Sequence, residues 1–541
     1  MRTLLSFLVV ITLIPQFVLS QNQYLHDNFS MEWGERTRFR GEVTNIVGGH
    51  GLGFSAAVQR NTLLSFFFRN RQKLVVKNLN NLTAVDEHKV TLKGDGRHVR
   101  PYTVGDLSND LIVLSQRSRI WTNRNELFYH TINASQPSSL SEGEKIYDYL
   151  QLGNTQNKGL LGLVSSENFS KLAAYFTIPV RANDYPGFGY LLLNEFGVKY
   201  AEDVTMLPYF SHQLDIYDHF IANNGDYYMI AKEYYRSSQA LPWSISNRYF
   251  AKLRLFKVKN GLFSEVDINR QGYVIRELIL NHDNEGNLIC SGLFADDVQS
   301  GVRGVFFMQL DGTTNEVIFE DRSNFSAEFL NTGQASWDRN WRERIQAQSQ
   351  RAQGFDNFKF HDFRKTADGC YIAVCEHQEM VLRPKGSPDE DGKQKYENVY
   401  FFDDVIVYKL SPEGKLMWTQ RVPKIQESVN DEGYYSSIAH GLTNRHFFFL
   451  FNDNSLNYDE NGDFNNREYP RRGNRSLFRN AVAMVQIDLN TGNLTRKLVI
   501  KRQDLRVDLV PQLSRYDYAS NTLITYGKRG NQHRFGRFVF R

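Results

Sequence analysis

The sequence predicts an all-β fold, because one strand-turn-strand pattern recurs along most of the chain. Val405–Val422 reads VIVYKLSPEGKLMWTQRV, and Val482–Ile500 reads VAMVQIDLNTGNLTRKLVI. Each is an apolar strand, a glycine turn and a second strand, as in a β-hairpin. Five further copies have the same form: Gly304–Glu320, Gly189–Val204, Lys252–Ile268, Glu126–Ile146 and Lys73–Val90. Such repetition is typical of units that bury their core only against their neighbours.

The two chain ends supply one more copy between them. The last apolar strand, RFGRFVFR, runs to Arg541 with no partner after it, whereas Ser30–Phe39 precedes the first hairpin and is similar to Leu416–Val422, including its Trp. A closed ring of blades needs its last blade completed by a strand from the other end of the chain. We therefore predict a β-propeller of four-stranded antiparallel blades, eight in number with seven as the alternative, closed by an N-terminal outer strand.

Ahead of each hairpin, a polar strand turns through Asn, Asp or Gly into a strongly apolar strand. These would be the inner two strands of each blade, the second of them buried on both faces. The eight units are Ile279–Phe294, Phe363–His377, Phe220–Tyr234, Gly441–Asp453, Tyr516–Lys528, Asn61–Phe68, Asn109–Ser115 and Lys158–Ser165. Second strands are thus predicted near positions 62, 110, 159, 226, 287, 370, 446 and 522.

Residues 1–20 are typical of a secretory signal peptide. Arg2 precedes an apolar run from Leu4 to Ile14, and small residues come just before Gln21. No later stretch is apolar over the roughly 18 residues that a membrane span needs. We predict an exported protein, periplasmic or extracellular, with a single propeller domain over residues 21–541 and a helical insertion near residues 322–357. We also expect a monomer.

Composition narrows the classes of partner. A net charge of +4 over 541 residues gives no reason to expect nucleic acid as a ligand. The three cysteines are too few for a disulfide framework. Cys370 and Cys375 lie five apart in one predicted strand, where side chains alternate between faces, so they should not bridge each other. Core packing is the favoured role for all three.

By strand parity, the long connections of the predicted ring emerge on one face. Loops on a rigid scaffold are where binding residues usually lie, although such loops can also grow without a role. Four of these connections would join second to third strands, and one would join blades five and six. They are Ser166–Pro186, Tyr235–Tyr249, Leu382–Glu397, Asp453–Asn480 and Arg322–Asn357.

The candidate binding residues lie in these connections. Ala335–Gln353 predicts a helix with Trp337, Trp341 and Ile345 on one face and Arg339 and Arg342 on others. That stripe could bind a protein or stack on sugar rings, or it could pack the helix onto the rim of the propeller. Further aromatic and basic residues of the same face are Trp243, Tyr185, Tyr469 and Arg472. Arg472 belongs to the basic run Arg467–Arg479, which suggests an anion site or internal pairing with nearby acids.

Two patterns resemble catalytic or metal chemistry, and both have a structural interpretation. Tyr-Asp or His-Asp pairs recur at Tyr147, Tyr217, His361 and Tyr516 in predicted inner strands. A catalytic site would occur once in the chain, whereas these pairs recur in four blades. We therefore interpret the pairs as elements that cap turns or lock blades. Asp459, Asn461 and Asp463 have the spacing of a calcium loop, but Phe464 stands where that loop needs Gly. We predict no catalytic residue, metal site or cofactor.

The approach to the fourth strand carries a family resemblance. Ile487–Leu494 (IDLNTGNL) and Ser411–Trp418 (SPEGKLMW) resemble the repeat of quinoprotein-like propellers, in which an Asp or Asn, a Thr-Gly turn and a Trp mark each of eight blades. The resemblance covers the whole chain in architecture. At the level of individual residues it covers these two blades, with a weak match at Trp33. It implies a secreted propeller of a Bacteroidetes-type bacterium, related to pyrroloquinoline-quinone dehydrogenases or to non-enzymatic outer-membrane-assembly scaffolds.

Departures from that family weigh against a quinone enzyme. Such enzymes are expected to carry an adjacent Cys pair over the cofactor, and here no two cysteines are adjacent. Our first hypothesis is a binding or scaffolding module for a cell-envelope protein or glycan. The second is an enzyme that acts on polysaccharide in the central funnel, and a quinone-dependent dehydrogenase ranks third. The sequence has no G-x-S-x-G, H-E-x-x-H, P-loop or dinucleotide motif, which favours the first.

Overall fold

The computed structural model describes residues 24–541 except 27, 40, 49–53, 61–72, 80–81, 83–86, 109, 120–122, 135, 151–158, 182, 237–247, 332–356, 388–391, 466–469 and 475–476. Strands pair antiparallel in successive groups of four, which we call sheets 1 to 8. Sheet 1 consists of Glu42–Gly48, Phe54–Arg60, Lys73–Asn78 and Glu87–Gly94. Sheet 2 consists of Arg100–Leu107, Asp110–Arg119, Arg124–Asn133 and Leu140–Leu150. Sheet 3 consists of Leu161–Ser165, Lys171–Thr177, Gly187–Asn194 and Lys199–Met206.

Sheets 4 to 8 continue the same order. Sheet 4 consists of Leu214–Ile221, Tyr227–Arg236, Arg248–Lys259 and Leu262–Val266. Sheet 5 consists of Val274–His282, Leu288–Ala295, Gly304–Leu310 and Val317–Asn324. Sheet 6 consists of Phe358–Lys365, Tyr371–Pro384, Tyr396–Leu410 and Leu416–Val422, with Gln426–Val429 paired to its third strand. Sheet 7 consists of Ala439–Leu442, His446–Asn454, Asn480–Asp488 and Leu494–Lys501. Sheet 8 consists of Arg515–Asp517, Thr522–Arg529, Gln532–Phe540 and Phe29–Trp33.

Short elements complete the described fold. The remaining strands are Tyr24–His26, Thr37–Arg38, Arg97–His98 and Asp508–Leu509. The helices are Ala327–Asn331 and Arg502–Leu505, with single 3₁₀ turns at Ser455–Asn457, Leu477–Arg479 and Pro511–Leu513. The outer strands of sheets 1 and 2 also pair in parallel, with Leu140 opposite Thr91.

The apolar core is divided among the contacts between successive sheets. Between sheets 5 and 6, for example, Leu293 and Phe307 pack with Phe363 and Tyr408. Sheet 8 in turn packs on sheet 1, so that the order closes into a ring. The second and third strands are the most buried, because they are covered on both faces: every residue of Leu288–Ala295 is buried. The protein is therefore an all-β propeller of four-stranded antiparallel sheets, as predicted, while the count of eight blades remains a prediction.

The N-terminal strand closes the ring. Phe29–Trp33 pairs antiparallel with the last strand, with Phe29 opposite Phe540 and Trp33 opposite Gly536. Met31 is fully buried in the cluster that joins sheets 7 and 8. The predicted completion of the last blade by a strand from the N-terminus is confirmed.

Two predicted second strands were wrong. In sheet 1 the second strand is Phe54–Arg60, which pairs with strands on both sides, and the predicted strand Asn61–Phe68 lies outside the described residues. In sheet 3 Leu161–Ser165 is the first strand, and Lys171–Thr177 is the second. The connection predicted at Ser166–Pro186 therefore contains a strand of its own. The other six predicted positions fall within or next to the observed second strands.

Two faces of the ring follow from the strand order. We call the face with the first-to-second and third-to-fourth turns the turn face. The opposite face, which carries the second-to-third connections and the links between sheets, is the link face. First strands contact one another between sheets 1 and 2, 2 and 3, 3 and 4, 5 and 6, and 7 and 8, which places them on the channel side of the ring.

Candidate functional site

Ion pairs cross the channel near the turn face. Nη2 of Arg515 in sheet 8 lies 2.8 Å from Oδ2 of Asp106 in sheet 2. Nη1 of Arg364 in sheet 6 lies 2.7 Å from Oε1 of Glu167, in the first turn of sheet 3. Neither pair joins neighbouring sheets, so both must span the channel, which they narrow at this end. Burial raises the pKa of Asp106 and outweighs the opposing effects of Arg515 and the Gly48 N–H group.

A second group of charges lines the channel wall between sheets 6 and 8. Nε of Arg364 lies 2.9 Å from Oδ2 of Asp362, and the guanidinium lies 3.8 Å from the centre of the Tyr518 ring. The Tyr518 hydroxyl donates to the same Asp362 oxygen over 3.0 Å, and Nε2 of His440 lies 3.4 Å away. Burial alone would raise the pKa of Asp362, but Arg364 and His440 together hold it below its ordinary value. Asp362 is therefore an ionised, fully partnered carboxylate.

Deeper in sheet 6, the carboxylate of Glu376 is buried with its partners. Nζ of Lys424 lies 2.6 Å from Oε1, and both side chains are fully buried. Nε2 of His361 lies 3.0 Å from Oε2, and the Ser437 hydroxyl donates to Oε2 over 2.7 Å. Burial opposes ionisation of Glu376, but Lys424 and His361 outweigh it and lower its pKa. Burial also lowers the pKa of His361. Such a network fixes the chain locally.

The recurrent Tyr-Asp and His-Asp pairs have several structural roles. Tyr217 and His361 occupy β-bulges at equivalent positions in the first strands of sheets 4 and 6. Asp517 caps a turn by accepting hydrogen bonds from the Ala519 N–H group and the Ser520 hydroxyl. The pair at Tyr147, however, lies in the outer strand Leu140–Leu150, so its predicted place in an inner strand was wrong. At these bulges the side chains contact the interior of the propeller, where His361 bonds to the buried Glu376 and Tyr217 packs on the core between sheets 4 and 5.

A three-stranded extension of sheet 6 lies on the link face. Gln378–Pro384 pairs with residues 396–402, which pair in turn with Gln426–Val429. The two ends of the connection predicted at Leu382–Glu397 are thus strand, over Leu382–Pro384 and residues 396–397, and we call this extension the arm. Directly paired residues of antiparallel strands share a face. On one face, Val399 and Phe401 are buried.

The other face of the arm is apolar and open to solvent. Met380 is 43% exposed, Leu382 58% and Tyr396 59%. Pro384 pairs with Tyr396 and is also exposed. We call these four residues the arm face. The tip beyond them carries three exposed lysines: Lys385, Lys393 and Lys395. The arm was not predicted from the sequence, because the consecutive apolar residues Met380, Val381 and Leu382 lack the apolar-polar alternation of a half-exposed strand.

The predicted binding residues fall into three groups. Tyr185 is 47% exposed on the link face, and its ring stacks on Phe210 with 4.6 Å between centres. Arg472 is nearly buried and forms an ion pair with Glu427, the partner that internal pairing would supply. The other predicted residues lie outside the described part of the chain: Trp243, Trp337, Trp341, Arg342 and Tyr469. Tyr185 and Arg472 are thus the two residues of the predicted set that the structure describes, and the grouping of the set into one site stays a prediction.

The acidic run near Asp459 forms a turn. Oδ1 of Asp459 accepts hydrogen bonds from the N–H groups of Asn461 and Asp463, each over 2.9 Å. Asp463 lies 3.5 Å from Nζ of Lys497. No group of three metal-ligating side chains occurs among the residues that the structure describes.

The cysteines are buried and reduced. None of the three forms a disulfide, and Cys290 and Cys375 are fully buried. Burial raises the pKa of all three thiols, which makes them poor nucleophiles. They are core residues, as the sequence analysis favoured.

Comparisons with known proteins return similar folds and no family. No protein-family description and no curated protein matches the chain. Among solved structures, prolyl oligopeptidase B from Galerina marginata matches at 8% identity with a TM-score of 0.37, over 93% of this chain and 56% of the peptidase. The β-propeller domain of the Trilobed protease from Pyrococcus furiosus matches at 8% identity with a TM-score of 0.32, over 84% of this chain and 98% of the domain. The Nup133 β-propeller domain of Vanderwaltozyma polyspora matches at 10% identity with a TM-score of 0.32, over 82% of this chain and 100% of the domain.

These similarities are too distant to carry a function. The chain spans about half the length of the first of these peptidases. The assignment of a propeller rests on the strand pairing and sheet packing described above. Among the described residues, no helix is long and apolar enough to cross a membrane.

Proposed function

We propose that this protein is an exported binding module that holds a protein of the cell envelope on its arm. The main observation that supports this proposal is the arm face. Its four residues, Met380, Leu382, Pro384 and Tyr396, are exposed together on one side of the arm. Grouped apolar side chains on a surface are typical of interaction sites. The opposite side of the arm is buried at Val399 and Phe401, and Glu427 of its third strand forms an ion pair with Arg472 of sheet 7's long connection, so the arm is held in place and less entropy is lost on binding.

The charges at the arm indicate the chemistry of the partner. Lys385, Lys393 and Lys395 surround the apolar face at its tip. A matching surface would present apolar side chains with carboxylates beside them, because complementary charge orients the partners and speeds association. The arginine next to this tip is already engaged, because Arg383 pairs with Glu397 over 2.6 Å.

The alternative of a polysaccharide-acting enzyme receives less support. Glycosidases need two carboxyl groups that are free to act on the scissile bond. Three carboxylates of the channel, Asp106, Glu167 and Asp362, are each paired with an arginine. Ion-paired carboxylates with lowered pKa values, such as Asp362, do not donate protons at neutral pH. A relationship to the scaffold branch of the quinoprotein-like propellers is compatible with this proposal and remains a hypothesis.

The other predicted residues would extend the same surface. The Tyr185 and Phe210 rings form a small aromatic platform on the link face. Trp243, Trp337, Trp341 and Arg342 belong to connections that, by strand parity, emerge on this face as well. Secretion through the signal peptide of residues 1–20 and a monomeric state are part of the proposal.

The test is affinity capture from envelope extract with the chain from Gln21 to Arg541. The variant Leu382→Lys/Tyr396→Lys places charge on the arm face. The control Phe196→Lys alters an aromatic that is 75% exposed at a hairpin tip of the turn face. We expect a partner that is held by the unaltered protein and by Phe196→Lys, lost from the arm variant, and released by salt. A second variant with Arg322–Asn357 replaced by a short Gly-Ser link tests the predicted helix separately.

Two results would count against the proposal. One is a partner held equally by the arm variant and the control. The other is that no captured protein is held by every other folded form and lost from the arm variant. Circular dichroism on each variant ensures that a lost partner reflects the surface and not the fold.

A further inference from the structure

A cavity on the link face, separate from the arm, has the lining of a small-molecule site. Its volume is about 360 Å³, at the lower end of the range for such sites. One side is formed by residues 455–460, which follow the second strand of sheet 7, and the other by residues 501–503, which follow the fourth. Every residue that lines the cavity is among those the structure describes.

The floor of the cavity is rigid. Tyr458 is 6% exposed, and its hydroxyl donates to Oδ2 of Asp453 over 2.6 Å. Asn480 is 3% exposed, and its amide donates to Asn474 and Asp508 over 3.1 Å each. Since these groups are buried and bonded, the cavity does not need to form when a ligand arrives. Preformed sites lose less entropy on binding.

The rim offers an aromatic ring and unengaged polar groups. Phe478 is 85% exposed, the highest value among the described large apolar side chains, and the Arg502 guanidinium lies 5.4 Å from its ring centre. Arg502 is itself held by Asp508 over 2.9 Å. The side chains of Glu460, Lys501 and Gln503 line the cavity and form no hydrogen bond or ion pair within the described part of the chain.

We infer that this cavity binds a neutral saccharide of one or two units. Sugar hydroxyls both donate and accept hydrogen bonds, and the cavity supplies acceptors at Asp459 and Glu460 and donors at Lys501 and Gln503. The apolar C–H face of a sugar ring matches the open face of Phe478.

The balance of charge opposes an acidic ligand. Asp459 and Glu460 contribute two negative charges, Lys501 contributes one positive charge, and Asp508 neutralises Arg502. A purely apolar ligand would strip water from the carboxylates without replacing their hydrogen bonds, which is costly.

The inference rests on the proposed function only in treating the chain as a binding module, and its ligand and residues differ from those of the arm. The test is titration calorimetry of the chain from Gln21 to Arg541 with cellobiose, the N-acetylglucosamine disaccharide and digalacturonate. We expect a neutral disaccharide to bind with a dissociation constant on the order of 1 mM. Phe478→Ala should weaken that binding at least tenfold, and Glu460→Gln should weaken it less. The matched control Phe196→Ala removes another exposed ring and should leave binding unchanged.

Three results would overturn the inference. They are no binding of either neutral disaccharide to the unaltered protein, equal binding by Phe478→Ala and Phe196→Ala, and binding of digalacturonate as tight as that of the neutral sugars. Because Phe478 is largely exposed, its removal should not affect folding. A saccharide bound here with no protein captured by the arm would refute the proposed function alone, and the converse would refute this inference alone.

Discussion

Replacing Lys424 with methionine should destabilise the protein strongly, and in a way that depends on pH. Lys424 is fully buried, lies 2.6 Å from Glu376, and donates over 2.8 Å to the Phe402 carbonyl and to Gln426. Its loss leaves a buried carboxylate with His361, Gln378 and Ser437 as remaining partners. Breaking a buried pair from one side costs about 3–5 kcal/mol, and we expect about 4 kcal/mol at pH 7.

The pH dependence follows from the direction of the pKa shifts. In the unaltered protein the pKa of Glu376 is lowered, so its contribution to stability is complete above the ordinary glutamate pKa of about 4.3 and declines as pH falls below it. Without Lys424, burial should raise the pKa of Glu376 above its ordinary value. The variant should therefore lose stability as the pH rises through this raised pKa. The difference between the two proteins is therefore greatest at neutral pH and shrinks toward pH 4.

Urea unfolding followed by circular dichroism between pH 4 and 8 measures this difference. The double variant Lys424→Met/Glu376→Gln removes both charges and should recover more than half of the lost stability, because a neutral buried group needs no counterion. A Lys424→Met variant within about 1 kcal/mol of the unaltered protein at pH 7 would refute the reasoning. So would a difference that does not shrink toward pH 4.

Two other predictions concern the ring and the channel. Met31→Ala should lower the free energy of unfolding in urea by about 2–5 kcal/mol, because the side chain is fully buried where the N-terminal strand closes the ring. A near-zero change would mean that this strand does not hold the last sheet. Arg515→Ala should cost about 2 kcal/mol at pH 7, less than a wholly buried pair, since Arg515 is 26% exposed while Asp106 is 5% exposed. The pKa of Asp106 is already raised and should rise further without Arg515. The stability lost in Arg515→Ala should therefore vanish once the pH falls below the ordinary aspartate pKa. A loss that does not depend on pH would contradict the pairing.

The repeated hairpins were predictable because their pattern is local. Strand, glycine turn and strand occupy about twenty residues, and the glycine at the turn of Val405–Val422 adopts a φ of +76° that other residues rarely take. Closure of the ring was predictable for a different reason. An apolar strand at each chain end without a neighbour in sequence must find its partner in space.

The two errors in strand order have a common physical source. First strands were expected to be polar because they face a channel, but Leu161–Ser165 is as apolar as a second strand. Near this strand the channel is narrowed: Arg515 spans it to Asp106 and lies 4.5 Å from the ring of Phe169 in the first turn of sheet 3. An apolar first strand is tolerated where the channel is closed by such contacts. In sheet 1 the small residues of Phe54–Arg60 gave a weaker apolar signal than Asn61–Phe68.

The sequence by itself determined the fold class, the hairpins and the closure of the ring, since each depends on the periodicity of neighbouring residues. Only the tertiary structure decided where the charges go. Glu376 pairs with Lys424, although two strands of sheet 6 separate them in sequence. Arg364 pairs across the channel with Glu167, which is 197 residues away in sequence. It also decided that Leu382 and Tyr396 share a solvent-exposed face, because pairing register, not spacing along the chain, sets which side chains lie together.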